Sequence, residues 1–145
     1  MTLYLDTSSL VKLYVAEIGS DEVRDLVDRA TIVATSVVAY PEARAALARL
    51  RRTGDLTSSQ LARARRAFET QWPAYLAVDV TNALATAAGD YAERYGLRGF
   101  DAVHLASFAE IARRADGETR FSSFDEPLNK AAAHLAKRGK ANAPD

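Results

Sequence analysis

Short apolar runs alternate along the chain with longer amphipathic stretches. In the longer stretches apolar residues recur about every three to four positions, which is typical of one helix face. The short runs predict strands, and because they are apolar throughout, they indicate a parallel sheet covered by helices on both faces. The predicted fold class is therefore α/β. The predicted strands are residues 3–5, 31–35, 75–80 and 120–123.

Helix boundaries follow from caps and breakers. Pro41 lies inside one helical pattern and has no N–H to donate, so we expect a kink or a start delayed to about Tyr40. Ser20 is expected to cap the second helix, and Gly139 to end the last one. The predicted helices are residues 8–16, 21–29, 36–52, 58–71, 81–95, 101–115 and 126–138.

Composition limits the classes of protein that the chain can represent. Its 145 residues suit a single domain, predicted over residues 1–138 with a short C-terminal tail over 139–145. There is no cysteine, which excludes disulfides, thiolate zinc sites and a cysteine nucleophile. Neither a signal peptide nor a membrane span is evident, so we expect a cytoplasmic protein.

Basic residues concentrate in one segment although the chain as a whole has no net charge. Between residues 44 and 66 the only acid is Asp55. Such a segment is explained by solubility, or by contact with a phosphate backbone, and we favour the second interpretation. It contains seven arginines: Arg44, Arg49, Arg51, Arg52, Arg63, Arg65 and Arg66.

Acidic residues occupy the places where strands end and helices begin. Asp6 directly follows the first strand, and Asp125 comes two residues after the fourth. Asp101 is at the start of its helix, and Glu42 is early in the helix after the second strand. Because parallel strands present their carboxyl ends at one edge of a sheet, all four acids are candidates for one site.

Each acid also has a purely structural explanation. Glu42 is suited to an ion pair with Arg44 or Arg49 on a helix surface. The other three suit helix N-caps, a role worth about 1 kcal/mol: Asp6, Asp101 and Asp125.

A shared cleft would make the acids a candidate metal site. Neighbouring carboxylates raise one another's pKa, and a divalent cation removes that repulsion. Oxygen ligands suit Mg²⁺ or Mn²⁺, which indicates phosphodiester hydrolysis by a nuclease. Ser8 and Ser123 lie beside the acids and are suited to orienting a ligand or capping a helix. We assign no catalytic role to His104 or His134.

Four segments in order, LDTSSLVKLY, SVVAYPEARAAL, GFDAVHLASFAE and FSSFDEPLNKAA, resemble the PIN domain, and specifically the VapC toxins of bacterial toxin–antitoxin pairs. The resemblance covers nearly the whole chain. It implies a short central parallel sheet sandwiched by helices. It also implies Mg²⁺- or Mn²⁺-dependent cleavage of RNA, often transfer or ribosomal RNA, a homodimer, and a cognate antitoxin of the VapB type.

The resemblance also assigns roles by position. Asp6, Asp101 and Asp125 correspond to metal-binding acids, directly or through water, and Glu42 to the acid that completes the site and positions or deprotonates the attacking water. Glu126 adjoins Asp125, which leaves two candidates for the fourth acid. The catalytic set is thus expected to be Asp6, Glu42, Asp101 and Asp125, with Ser8 and Ser123 at the polar positions that assist cofactor binding.

The expected function is that of a toxin endoribonuclease that halts translation. A haloacid-dehalogenase-type phosphotransferase also places an acid after strand one, but it needs a second aspartate where this chain has Ser8. A non-catalytic PIN module that binds RNA or protein is disfavoured because all four acids are present. A PIN nuclease of RNA maturation without an antitoxin stays open.

Overall fold

Strands and helices alternate through the part of the chain that the structure, a computed structural model, describes: residues 1–141. The N-terminal half contains β1 (Thr2–Leu5), α1 (Thr7–Val11), α2 (Ser20–Arg29), β2 (Ile32–Ser36), α3 (Ala39–Arg52) and α4 (Ser58–Gln71). A single helical turn at Trp72–Ala74 leads into β3 (Leu76–Val78), α5 (Asn82–Tyr95), α6 (Gly99–Arg114), β4 (Thr119–Ser122) and α7 (Glu126–Ala141).

The four strands form one parallel sheet in the order β3-β2-β1-β4. β1 is central, and its residue Tyr4 is level with Ala34 of β2 and Phe121 of β4. The predicted α/β class is therefore confirmed. Because β1, β2 and β4 point the same way, the segments that follow them emerge at one edge of the sheet.

The central strand β1 is buried on both faces, as its apolar residues predict, whereas Ile32 of β2 and Leu76 of β3 are about half exposed. Alternate residues of β1 point to opposite sides, so Leu3 and Leu5 belong to one core and Tyr4 to the other. The first core is built with α1 to α4 and includes Leu10, Val23, Leu47 and Phe68. The second is built with α6 and α7 and includes Leu105, Phe108, Ile111 and Leu128.

The predicted start of α3 is confirmed, and the predicted cap of α2 is not. α3 begins at Ala39, which confirms the delayed start, and Pro41 falls in the first turn, where its missing N–H has no intrahelical partner to lose. The expectation that Ser20 caps α2 is wrong, because Gly19 occupies that position. The Ser20 hydroxyl instead donates to the Val15 carbonyl and accepts from the Glu17 amide.

Two helix ends also differ from the prediction. α1 stops at Val11, well short of residue 16, and gives way to turns. α7 continues through Gly139 to Ala141, whereas Gly96 does end α5, in the left-handed conformation with φ of 63°. A glycine ends a helix where it takes that conformation, and Gly139 is helical instead. Of the predicted tail, residues 142–145 lie outside the described residues.

Within residues 1–141, no helix is both long enough and apolar enough to cross a membrane.

Gly19 supports the edge of the sheet where the acids lie. Its φ is +93°, a conformation that L side chains rarely adopt, and a Cβ built there would lie 2.6 Å from Cε1 of Phe124. The Phe124 ring is also held by Lys12, whose Nζ is 4.5 Å from the ring centroid. Position 19 therefore needs glycine for the backbone and for the ring beside Asp125.

We expect Gly19→Ala to lower the free energy of unfolding by about 2 kcal/mol, of which about half is backbone strain and half the displaced cation–aromatic contact. Gly54→Ala is the matched control, because Gly54 has φ of +87° but nothing within 4 Å of its built Cβ. It should lose only the strain, about 1 kcal/mol. Urea unfolding of both variants measures the difference, and equal losses would refute the packing role of Gly19.

Candidate active site

Asp6 is the first residue after β1, and it is only 4% exposed. Its Oδ1 accepts hydrogen bonds from the Ser9 amide at 3.0 Å and the Ser8 hydroxyl at 2.7 Å. Its Oδ2 accepts from the Ser123 hydroxyl at 2.6 Å. Asp6 therefore does cap α1, as one interpretation predicted, and both of its carboxylate oxygens accept hydrogen bonds.

Ser8 and Ser123 join the end of β1 to the segment after β4. While donating to Asp6, the Ser8 hydroxyl accepts from the Phe124 amide at 3.0 Å. The Ser123 hydroxyl likewise accepts from the Asp125 amide at 3.0 Å. The idea that Ser8 caps a helix is wrong, because Asp6 holds that position. Both serines orient the Asp6 carboxylate.

Asp125 precedes α7 and caps it, since its Oδ2 accepts from the Leu128 amide at 3.0 Å. Its neighbour Glu126 faces elsewhere: its side chain is 80% exposed and lies 3.2 Å from Lys130 Nζ. Of the two adjacent acids, Asp125 is the one linked to Asp6 through Ser123.

Glu42 lies in the first turn of α3 and contacts residues of α1 and α6 across the site. Its Oε1 accepts from the Thr7 hydroxyl at 2.6 Å and from His104 Nε2 at 2.8 Å. Burial raises the pKa of Glu42, but these two hydrogen bonds outweigh it, so the pKa lies below its ordinary value. The suggested ion pair of Glu42 with Arg44 or Arg49 does not form, and Arg44 contacts Glu69 at 3.2 Å.

Asp101 lies in the first turn of α6, and the cap position belongs to Arg98, so the cap interpretation is wrong for this acid. Burial raises the pKa of Asp101, and the charges of Asp125, Asp6 and Glu42 raise it further, while His104 opposes them. Asp101 thus experiences the charge of all three other acids. The four acids form one electrostatic cluster at the carboxyl edge of the sheet.

The donor set suits a hard divalent cation. Carboxylate oxygens supported by serine hydroxyls are ligands that Mg²⁺ and Mn²⁺ accept, and the repulsion that raises the Asp101 pKa is relieved by positive charge. Within residues 1–141 no three acids or histidines stand close enough together to chelate an ion directly. The fit is therefore one of chemistry, compatible with ligation partly through water.

Sequence reasoning missed three residues of the site: Tyr4, Thr7 and the role of His104. His104 is 2% exposed and links Glu42 to Tyr4, with its Nδ1 2.9 Å from the Tyr4 hydroxyl. A signal was present, because Thr7 directly follows Asp6 and His104 is three residues after Asp101 on one helical face. Tyr4 had no such signal, since it reads as an apolar core residue of a strand.

Fold and site together define a parallel α/β domain with a cluster of acidic residues at the carboxyl edge of its sheet. The chain belongs to the PIN domain family, whose model matches residues 3–137.

Two relatives carry names that indicate their activity. Ribonuclease VapC45 of Mycobacterium tuberculosis (strain CDC 1551 / Oshkosh) is 46% identical over 105 residues, which cover 72% of this chain and 73% of that protein. Ribonuclease VapC49 of Mycobacterium tuberculosis (strain ATCC 25618 / H37Rv) is similar to this chain with the same identity and coverage. The resemblance to VapC-type PIN proteins is thereby confirmed.

We expect Asp101 to make the metal-free protein less stable at neutral pH than at low pH. Below about pH 3.9 the carboxyl is protonated whether the chain is folded or not, and it contributes nothing. As the pH rises the unfolded chain releases its proton first, because the folded pKa is raised, and stability falls until that pKa is passed. Asp101→Asn should therefore raise the melting temperature at pH 7, with the gain vanishing near pH 3.

Thermal unfolding across this pH range measures the effect. Asp90→Asn is the matched control, since Asp90 is an exposed aspartate within α5. A gain of Asp101→Asn that is unchanged by pH, or equal to that of Asp90→Asn, would contradict the electrostatic cluster.

Proposed function

We propose that this protein is a metal-dependent endoribonuclease and the toxin of a toxin–antitoxin pair, which cleaves RNA of the transfer or ribosomal class and so inhibits translation. One observation carries the proposal: in a PIN domain, the charges of Asp6, Glu42 and Asp125 all act on Asp101 at one edge of the sheet. The two relatives named as VapC ribonucleases support the activity.

In this mechanism Asp6, Asp101 and Asp125 would hold Mg²⁺ or Mn²⁺, directly or through water. The cation supplies charge neutralisation at the phosphate and lowers the pKa of water. Ser8 and Ser123 fix the orientation of the Asp6 carboxylate through hydrogen bonds to its two oxygens. Glu42 positions the attacking water and accepts its proton; its pKa lies below its ordinary value, so the carboxylate is ionised at neutral pH and has a free acceptor site.

Substrate would approach along the hairpin of α3 and α4. Glu42 is in the first turn of α3, and Arg49, Arg51 and Arg52 are in its last turn, about 10 to 15 Å away at 1.5 Å per residue. α4 runs back alongside: its Ser58 bonds Arg51, and its Glu69 bonds Arg44 near the Glu42 end. The exposed arginines thus form a basic surface that leads to the acids.

Two protein partners belong to the proposal. A cognate VapB-type antitoxin would restrain the toxin, and the toxin would act as a homodimer. The names of the relatives support the antitoxin. The alternative, a maturation nuclease without an antitoxin, is distinguished by whether a small gene for such a partner adjoins this one.

We expect Asp6→Asn to reduce RNA cleavage by about 100-fold or more, because it removes a charged ligand from the metal site. Asparagine also caps helices well, so α1 should be retained. The measurement is cleavage of a labelled RNA with Mg²⁺, after chelation with EDTA, and after Mg²⁺ or Mn²⁺ is restored. Glu126→Gln is the matched control and should cleave normally, since Glu126 pairs with Lys130.

A second readout does not require activity. Mg²⁺ should raise the melting temperature of the unaltered protein more than that of Asp6→Asn, because ligands stabilise the state that binds them. Cleavage that survives chelation would refute the metal mechanism, and a fully active, folded Asp6→Asn would refute the site.

The basic surface makes a separate prediction about salt. Arg65 and Arg66 line a shallow cavity of about 470 Å³ together with Arg51. If both contact phosphates, the double change Arg65→Ala, Arg66→Ala should weaken RNA binding and reduce the slope of log K against log salt by about 1.4. Binding is measured in the Asp6→Asn background so that the RNA stays intact.

Arg138→Ala is the control for that measurement. Arg138 is exposed on α7, and it is about 18 Å along that helix from Glu126. A salt slope unchanged in the double variant, or reduced equally in Arg138→Ala, would exclude the hairpin as the binding surface.

A further inference from the structure

A chain of hydrogen bonds runs from the core to the site, and neither RNA binding nor cation binding accounts for it. The Tyr4 hydroxyl lies 2.9 Å from His104 Nδ1, and His104 Nε2 lies 2.8 Å from Glu42 Oε1. Thr7 completes the set, with its hydroxyl 2.6 Å from Glu42 Oε1 and 3.1 Å from His104 Nε2. These residues come from β1, α1, α3 and α6.

The polar groups of this hydrogen-bond network lie in the core, where apolar side chains would otherwise be expected. Tyr4 is 0% exposed, and its ring packs against Phe108 and Phe121. Burying a hydroxyl and an imidazole is unfavourable unless each finds a partner, and a phenylalanine would fill much the same space as Tyr4. What the tyrosine hydroxyl and the imidazole add is a hydrogen-bonded connection to Glu42.

One arrangement of protons satisfies every group. The buried Tyr4 hydroxyl donates its proton to Nδ1 of His104. With Nδ1 accepting, Nε2 carries the ring proton and donates to Glu42. Thr7 donates its hydroxyl proton to the same carboxylate oxygen, and its own oxygen, 3.1 Å from Nε2, is the second acceptor of a hydrogen bond that the Nε2 proton shares with Glu42.

Both donors converge on Oε1 of Glu42, and this orients the carboxylate. No group within residues 1–141 donates to Oε2, and the side chain is 30% exposed. With Oε1 held by two donors, Oε2 is left as the acceptor of this partly exposed carboxylate that is open to water.

We propose that Tyr4 and His104 are positioning residues, which hold Glu42 with Oε2 directed at the water that attacks RNA. The proposal rests on the proposed function, since it gives Glu42 its task. His104 and Tyr4 would therefore affect the rate of the chemical step rather than RNA binding.

The kinetic test compares His104→Leu with His104→Gln. Leucine fills the cavity but removes the donor, and kcat should fall about 100-fold with KM changed less than about threefold, as expected when a catalytic group is misplaced. The glutamine amide can replace Nε2–H and should restore kcat to within about tenfold of the unaltered protein. Tyr4→Phe keeps the packed ring and should lower kcat about three- to tenfold.

A matched Tyr–His pair provides the control. His134 Nδ1 lies 2.7 Å from the Tyr95 hydroxyl, but this pair is exposed and has no contact with Glu42. His134→Leu should leave kcat unchanged. A folded His104→Leu with normal kcat, or with only KM altered, would overturn the proposal, as would a His104→Gln no better than His104→Leu.

A readout in the metal-free, RNA-free protein separates this proposal from the proposed function. ¹⁵N NMR of the imidazole should show a His104 proton on Nε2 and an accepting Nδ1. Glu42→Gln should shift the Nε2–H signal, and Tyr4→Phe the Nδ1 signal. A proton on Nδ1, or signals indifferent to both changes, overturns the positioning network even if RNA is cleaved. The predicted signals in a protein that cleaves no RNA support the network and count against the proposed function alone.

Discussion

The burial of the Asp6 carboxylate is the constraint on which the rest of this edge of the molecule depends. A buried carboxylate is tolerated only when hydrogen bonds replace its water, and Asp6 obtains them from the start of α1 and from the segment after β4. These hydrogen bonds fix Ser123. Its hydroxyl accepts a hydrogen bond from the Asp125 amide and so sets where α7 begins. One charge at the end of the central strand thus orders both sides of the sheet.

All four acids lie at the N-terminus of a helix. Asp6 and Asp125 cap α1 and α7, while Glu42 and Asp101 lie in the first turns of α3 and α6. Helix N-termini carry partial positive charge, which favours carboxylates at these positions. For Asp6 and Asp125, capping a helix is compatible with participation in a site. The same geometry that caps the N-terminus of a helix also places negative charge at one edge of the sheet.

The sequence predicts most of the fold because apolar periodicity and strand burial act locally. The parallel sheet and the start of α3 near Tyr40 follow from residues within each segment. The cap of α2 does not follow from its own segment, because Gly19 is required by its backbone conformation and by the distant ring of Phe124. The candidate acids could be named from strand ends, but the contacts of Glu42 with Thr7 and His104 join residues far apart in sequence, and no local pattern encodes them.

Both edges of the sheet are short. β3 has three residues and is followed by Asp79, and β4 has four and exposes Arg120. An unpaired edge is a template on which another chain can add a strand, and short or charged edges offer few hydrogen bonds for that addition. Two copies of this chain would gain little by extending one sheet into the other. Helix surfaces, rather than the edges of the sheet, are therefore the places where a second copy could pack.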